Sequence, residues 1–439
     1  MAGPSALSTL PEATSYVVVG GGVHGLSTAC HLAEELESAG RSGAEVVLLD
    51  KRRPGAGASG ICGGIVRNFY LSEAMNEIVR QSVEIFELDP RGFGFHQIGY
   101  LAAVPEQQAE DLELIASQHA QLGYASTLVR GAAHCREHLR ALFPDWRAAS
   151  VTAVLHEQRS GWAEPTATVA NLAGMARSLG VRIVEGAEVQ GFELEGGLVR
   201  RVETSLGSIA CDLVVVAPGP WARDLWRMLE LPEELDVGGE RRPMFVYYKV
   251  REGDYVLRSG DRLPDDCPVV HLDLHEPLCS DLDERVLDPG PWGIYFRPGL
   301  HPGVQGGGLP QPLDLECELD PYGPSHPVHG ASGPGFDEWY TSALAVALGR
   351  FQGRSADWSC DSYGAQVVFT PDNYPIVDFV RPNVYAILDS THGFKMLALG
   401  KLAAADILRG DAPELERFRF ARFAAAALHP ASASPYPWT

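Results

Sequence analysis

Short runs of β-branched residues alternate with stretches of helical apolar spacing along most of this chain, and glycine marks the places where one gives way to the other. Tyr16-Val-Val-Val19 runs straight into Gly20-Gly-Gly22-Val-His-Gly25 and an apolar helix, and the next β-rich run, Glu45-Val-Val-Leu-Leu49, ends in Asp50. Strand, glycine turn, helix and a second strand closed by an acid predict a βαβ unit. Helical spacing returns from Ser72 to about Leu88 and from Thr168 to Leu179, with strands expected at Val181–Glu185 and within Gly197–Ser205. Asp212-Leu-Val-Val-Val-Ala217 lacks polar alternation, which predicts a strand of a parallel sheet covered on both faces.

Between about Asp236 and Leu344 the pattern changes to alternating strands, such as Met244–Val250 and Trp292–Arg297, separated by stretches rich in proline and glycine. That texture predicts an antiparallel sheet inserted into the βαβ-containing fold, with loops at Asp281–Pro291 and Gly299–Pro312. The earlier character resumes from Tyr363, with a strand at Val384–Leu388 and a helix from Met396 to Arg409. The expected class is therefore α/β (α+β), a Rossmann-like domain interleaved with a mainly antiparallel-sheet domain. The boundaries fall at 14–95, 150–235 and 355–425 for the first domain and at 96–149 and 236–354 for the second, with an extended tail at 426–439 whose prolines oppose a helix.

Composition narrows the functional classes. The chain of 439 residues carries a formal charge of −22, which opposes binding to nucleic acid or to an anionic membrane surface. Met1–Ser15 has neither a basic residue nor a signal-length apolar core, and no later stretch has the length of a membrane span, so a cytoplasmic protein is expected. The eight cysteines show no zinc spacing, and reduced thiols and no metal site are expected. Lysine occurs only at positions 51, 249, 395 and 401.

The glycine turn carries chemistry as well as geometry. Gly20 suits the tight turn, Gly22 lets the backbone approach a pyrophosphate at the helix N-terminus, and Gly25 lets that helix pack on the strand. Asp50 is placed to accept from a ribose 2′-hydroxyl. His24, inside the turn, reads as a surface residue at the helix start. His271 and His275 sit in an alternating strand segment, about 13 Å apart if both lie on one strand face, too far to share an ion.

Taken together, the motifs resemble those of flavin-dependent oxidoreductases that include D-amino acid oxidase, glycine oxidase and sarcosine oxidase. They are Gly20–Gly25, Gly57-Ala-Ser-Gly60 to Arg67, Ser160-Gly-Trp-Ala-Glu-Pro165, Val216-Ala-Pro-Gly-Pro-Trp221, Gly293-Ile-Tyr-Phe-Arg-Pro298, Thr370-Pro-Asp372 and His392-Gly-Phe-Lys395. Monomeric sarcosine oxidase and the sarcosine oxidase β subunit are the nearest patterns. The resemblance implies FAD, held at its ADP half by Gly20, Gly22, Val23, His24, Gly25, Asp50 and Lys51. It also implies that Ala58, Ser59, Gly63 and Gly64 line the pyrophosphate and flavin loop, that Val189 meets the adenine, and that Gly219, Trp221, Gly393, Phe394 and Lys395 lie near the cofactor. Asp372 reads either as a family acid or as a turn or cap acid.

The same resemblance places an arginine and a lysine around a substrate carboxylate, and Arg67 and Lys395 occupy those positions. Arg297 is a third carboxylate candidate or a structural arginine, His392 a site residue or a packing one, and Tyr295 and Tyr70 either site wall or core. Two departures are visible. Ala365 stands where monomeric sarcosine oxidase links its flavin through cysteine, which implies non-covalent FAD unless Cys62 or a histidine forms the bond. No lysine occurs near Gln305–Gly308, where an oxygen-activating lysine is expected. The implied activity is oxidation of a small carboxylate-bearing amine, with oxygen or another electron acceptor as co-substrate. A dehydrogenase, a biosynthetic amine oxidase for a larger substrate and a non-catalytic FAD-binding assembly protein are the alternatives.

Overall fold

The structure is a computed structural model and describes residues 9–299, 303–313, 335–389 and 391–435. The βαβ unit forms where the hydrophobic pattern changes period. Ala13–Val19 pairs in parallel with Val46–Asp50, and the helix Val23–Ser38 crosses between them. Five parallel strands make the centre of the first sheet, in the order Val384–Leu388, Gly207–Val216, Ala13–Val19, Val46–Asp50 and Arg182–Glu185. The runs Val17–Val19, Val46–Leu49, Val214–Val216 and Val384–Leu388 are buried on both faces, as unbroken apolar runs require.

The helices Val23–Ser38, Glu73–Leu88, Pro165–Ser178 and Leu399–Arg409 share one apolar core with this sheet, including Leu26, Leu32, Val83, Leu172 and Leu402. The last of them starts later than the spacing predicts, because Gly393–Met396 forms a 3₁₀ turn instead. Neighbouring helices bond the backbone across this break. The Ser82 hydroxyl accepts from the Ala398 amide at 3.0 Å and the Ser27 hydroxyl donates to the Leu397 carbonyl at 2.8 Å.

The second sheet has eight strands, ordered Trp358–Phe369, Val246–Leu257, Val304–Pro312, Trp292–Pro298, Val269–Leu274, Tyr100–Val104, Ala153–Glu157 and Ser126–Arg130. All neighbours are antiparallel except Val269–Leu274 with Tyr100–Val104. Two of these strands, Ala153–Glu157 and Trp358–Phe369, fall inside segments that the boundaries at 150 and 355 assign to the nucleotide-binding part. The latter pairs along its whole length with Val246–Leu257.

The expected loop over 299–312 is instead a strand from Val304 to Pro312. Its glycines argued against a strand, yet they are what the packing demands. A Cβ at Gly306 would lie 1.9 Å from the Tyr340 hydroxyl, at Gly307 2.5 Å from the Arg251 carbonyl oxygen, and at Gly308 2.7 Å from the Trp339 ring. The Asp281–Pro291 stretch holds one short strand, Val286–Asp288. Residues 426–435 carry neither helix nor strand, and the last four residues of the tail lie outside the described residues.

Candidate functional site

One cavity runs from the carboxyl edge of the first sheet to the second sheet. At the first end its walls are mostly backbone. Gly20 has φ +108°, and a Cβ there would lie 2.2 Å from the Ala217 carbonyl oxygen. A Cβ on Gly25 would lie 1.9 Å from the Gly20 carbonyl oxygen, so this residue sets the helix against the strand without itself lining the cavity. Gly22 precedes the helix and offers no side-chain cap; the Ser59 hydroxyl takes the Val23 amide at 3.1 Å. The N-terminus of a 16-residue helix therefore opens on the cavity, a setting that favours a bound anion.

Asp50 closes the neighbouring strand and accepts from the amides of Gly21 at 2.9 Å and Arg52 at 2.8 Å. Burial raises its pKa, and those two donors oppose the rise. The Lys51 ammonium lies 3.9 Å from the centroid of the Trp221 ring, and Val189, Gly219, Ala58, Ser59, Gly63 and Gly64 complete this part of the wall. Side-chain-free backbone at the turn, an acid one strand over and a helix N-terminus between them fit the ADP half of a dinucleotide.

At the other end the walls are side chains. Arg67 follows the short strand Ile65–Val66 and donates to the Phe69 carbonyl at 2.6 Å, with the Phe69, Tyr70 and Tyr100 ring centroids 4.9–5.9 Å away. Behind its loop, the fully buried Glu157 accepts from the Asn68 amide at 2.7 Å and from the Ser160 hydroxyl, and burial pushes its pKa up to about 7. Lys395 stands on the 3₁₀ turn Gly393–Met396 and donates to the Thr391 carbonyl at 3.1 Å. Burial, with the positive charge of Arg67 adding to it, lowers its pKa to about 8. Arg67, Lys395, His392, Gly393, Phe394 and Tyr295 all line the cavity.

Several expectations change on the structure. Arg297 does not line the cavity. Its guanidinium donates to the carbonyls of Gly63 at 3.0 Å and Pro298 at 2.7 Å and lies 3.7 Å from the Trp162 ring centroid, which makes it a brace between sheet and loop. Tyr70 is core beneath Arg67 rather than wall. Asp372 pairs with Arg422 at 2.8 Å deep in the protein and ties the C-terminal segment down. His24 is not a surface residue. It is 6% exposed, lines the cavity and bonds Asp389 at 3.0 Å. His271 lies in the strand as expected, with Nδ1 2.9 Å from the Tyr100 hydroxyl, and His275 lies beyond the strand end.

Sequence reasoning missed Asp389 and Glu252. Asp389 ends the buried strand Val384–Leu388 as Asp50 ends its own, a signal that was readable. Glu252 sits inside Val246–Leu257, where Arg251-Glu252 reads as an exposed charge pair. In the fold it is 8% exposed, lines the cavity and accepts from the Tyr363 hydroxyl at 3.2 Å, and burial raises its pKa. A Cβ on Gly307 would lie 2.9 Å from the Glu252 Cγ and 3.1 Å from the Tyr295 ring, so the glycine strand makes room for this acid and phenol.

Residues 15–406 match the family described as FAD dependent oxidoreductase, DAO. The chain belongs to this family. In this DAO-family protein the turn, Asp50 and the helix N-terminus described above are thus the residues that would hold FAD. The 4-methylaminobutanoate oxidase (formaldehyde-forming) of Paenarthrobacter nicotinovorans is 29% identical over 221 residues, covering 49% of this chain and 26% of that one. Sarcosine oxidase subunit beta of Rhizobium meliloti (strain 1021) is 30% identical over 227 residues, covering 50% of this chain and 53% of that one. The chain aligns with about a quarter to a half of the length of these relatives. The solved structure of L-proline dehydrogenase from P. horikoshii superposes with a TM-score of 0.75 at 20% identity, over 96% of this chain and 100% of that one, and shares its fold. Among the described residues no helix is long and apolar enough to cross a membrane, and no group of three or more His, Cys, Asp or Glu is placed to hold a metal ion.

Proposed function

We propose that this protein oxidises the C–N bond of a small amino acid or N-substituted glycine that carries a free carboxylate, giving an imine that water then hydrolyses. One observation carries the reading: Arg67 and Lys395, from opposite ends of the chain, meet on the wall of a single cavity. FAD held by the glycine turn and Asp50 would supply the redox chemistry, as acceptor for the hydride of the C–H bond beside nitrogen. The chain's own contribution is placement. A guanidinium set by the Phe69 carbonyl and three rings is a preorganised fork for one carboxylate, and the Lys395 ammonium adds a point charge beside it. The names of the relatives, a sarcosine oxidase subunit and a 4-methylaminobutanoate oxidase, point to the same substrate class.

The flavin is held without a covalent bond in this reading. Ala365 lines the cavity, Cys360 is exposed, and burial pushes the Cys62 thiol up to about 12, which keeps it protonated. Acid precipitation should leave FAD in the supernatant, and a polypeptide mass increased by FAD would refute this. An electron acceptor other than oxygen is favoured by the wall at Tyr295 and the buried acid Glu252, where the group behind the Tyr295 hydroxyl is the neutral Gln305 amide. The deciding experiment is anaerobic mixing of the yellow protein with N-methyl and primary amino acids while following flavin bleaching. Carboxylate-bearing amines should bleach it, whereas bleaching only by uncharged amines would reject the proposal.

A further inference from the structure

Asp389 lines the cavity and bonds several groups, none of which is accounted for by a carboxylate clamp. It is 6% exposed and lies between two imidazoles, with His392 Nδ1 at 2.7 Å on one oxygen and His24 Nε2 at 3.0 Å on the other. The amides of His392 at 3.0 Å and Thr391 at 3.3 Å also point at it. An ionised carboxylate only accepts, so the short contact fixes the hydrogen of neutral His392 on Nδ1. Its other nitrogen, Nε2, has no hydrogen-bond partner among the described residues, on a side chain that lines the same cavity as Arg67 and Lys395.

We infer that His392 Nε2 takes the proton from the substrate's ammonium group, with Asp389 and His24 as the residues that orient it. This deepens the proposed function and rests on it. An amino acid reaches the site as an ammonium carboxylate, and hydride cannot leave the adjacent carbon as such until the nitrogen lone pair is free to form the imine. In the step proposed, the N–H bond of the ammonium breaks, its electron pair stays on nitrogen, and the proton forms a bond to Nε2. The amine becomes neutral and His392 becomes an imidazolium facing the Asp389 carboxylate. After the imine leaves, the proton passes to water. No oxidant enters this step.

The surroundings suit an acceptor that is neutral before substrate arrives. Burial lowers the pKa of His392, as do the positive charges of Lys395 and Arg67, while Asp389 works in the opposite direction. Burial alone would raise Asp389, but the two imidazoles hold it well below the usual carboxylate range. The rings of Tyr70, Tyr374 and Phe369 pack around the imidazole, with centroids 5.6 to 6.5 Å away, and the two phenols stay protonated because burial raises them beyond their ordinary range. The groups that face His392 are therefore Asp389, His24 behind it, Lys395, Arg67 and these two phenols. A substrate carboxylate between Arg67 and Lys395 would neutralise the charges that hold His392 low.

The test uses the FAD-loaded protein and whichever panel amino acid bleaches it fastest. The limiting rate of anaerobic flavin reduction is measured from pH 5.5 to 10 for the parent, His392→Gln and His24→Gln. In the parent the rate should fall toward low pH as His392 is protonated. In His392→Gln it should drop at least about tenfold at pH 7 and recover as the pH approaches the amine's own pKa, since neutral amine then arrives unaided. Propionate, a carboxylate without an amine, should perturb the flavin spectrum of both with affinities within about twofold. That readout shows that cavity and cofactor survive the substitution. His24→Gln keeps an amide donor but removes the imidazole, whose charge also helps hold Asp389 low, so its profile should move up by about half a pH unit or more, an effect that loss of packing alone would not produce. Superimposable pH profiles for parent and both variants overturn the proton acceptor and leave the amine oxidation intact. Failure of every carboxylate-bearing amine to bleach the parent overturns both.

Discussion

The two ends of the cavity recognise by different means. The end at Gly20–Gly25 is shaped by backbone with no room beyond it, where a single added methyl would meet a carbonyl oxygen at about 2 Å. The end at Arg67 and Lys395 is shaped by side chains whose charges are held in place by carbonyls and rings. On the proposed reading the first would discriminate by shape and the helix dipole, the second by charge. A fault at the first should cost cofactor and stability together, whereas a fault at the second should change binding and leave the fold in place.

The largest effect is expected at the backbone end. Gly25→Val puts side-chain atoms where the Gly20 carbonyl stands, and Gly20→Ala adds a Cβ at φ +108° against the Ala217 carbonyl. The backbone clash at Gly25, and the clash joined to a strained φ at Gly20, place both substitutions among the severe ones, at more than about 4 kcal/mol. Both should yield colourless, poorly soluble protein. Yellow protein with parental melting temperature from either would mean that the turn tolerates what its geometry forbids.

At the side-chain end, Arg67→Met should leave flavin bound and raise the dissociation constant of propionate by about 30-fold to several thousand-fold, which corresponds to 2–5 kcal/mol for leaving one partner of a buried charge pair alone. Lys395→Met should act in the same direction. Spectral titration checks both. If both variants bind propionate as the parent does, the two residues do not form a clamp and the contrast between the ends disappears.

Lys395 sharpens the comparison further through pH. Its pKa is lowered from the ordinary lysine value to about 8, so the folded protein favours the neutral amine. The penalty for holding the ammonium is fully present below about pH 8 and fades as pH rises toward the unfolded value near 10.4. Lys395→Met should therefore stabilise the ligand-free protein at pH 7 by a few kcal/mol at most, with the gain vanishing near pH 10.5. Propionate binding by the parent should weaken above pH 8, by up to about tenfold per unit, and that slope should be missing in Lys395→Met. A destabilised variant at pH 7, or a parent with pH-independent binding between 7 and 10, would contradict the assignment of charge.

The same division explains what could be read from the sequence. Gly20, Gly22, Gly25 and Asp50 are legible because their function follows from local backbone geometry between adjacent elements of a period-2 and a period-3.6 pattern. Arg67 and Lys395 needed a family resemblance, since nothing local brings residue 67 to residue 395. His24 was misread as exposed because its burial depends on Asp389, far along the chain. Glu252 and the strand Val304–Pro312 were missed for one reason. Three glycines that read as a loop are accommodated only when Tyr340, Trp339 and Glu252 close on them from other strands and a helix. Arg297 shows the converse, a charged residue in the right motif that bonds Gly63 and Pro298 and does not line the cavity.

The smallest expected effect concerns the electron acceptor, where charge alone is at issue. Reduction of oxygen begins by placing negative charge on it, which a nearby cation stabilises and a nearby carboxylate opposes. The wall at this point holds Tyr295 and the buried Glu252, with the Gln305 amide behind the Tyr295 hydroxyl at 3.1 Å and the Arg297 guanidinium bonded to the Gly63 carbonyl. Air reoxidation of the reduced protein should therefore be slow. Glu252→Gln keeps the shape and removes the acid, and should speed reoxidation by a few-fold. Gln305→Lys adds a charge in a buried position and should gain more if the ammonium stays protonated, although part of the gain is offset by its desolvation. Neither change removes Arg67 or Lys395, so propionate should still bind. Stopped-flow mixing of photoreduced protein with aerated buffer measures the rate directly. Rapid reoxidation of the parent, unaltered by either substitution, would show that this wall does not govern the acceptor and would make an oxidase the better reading.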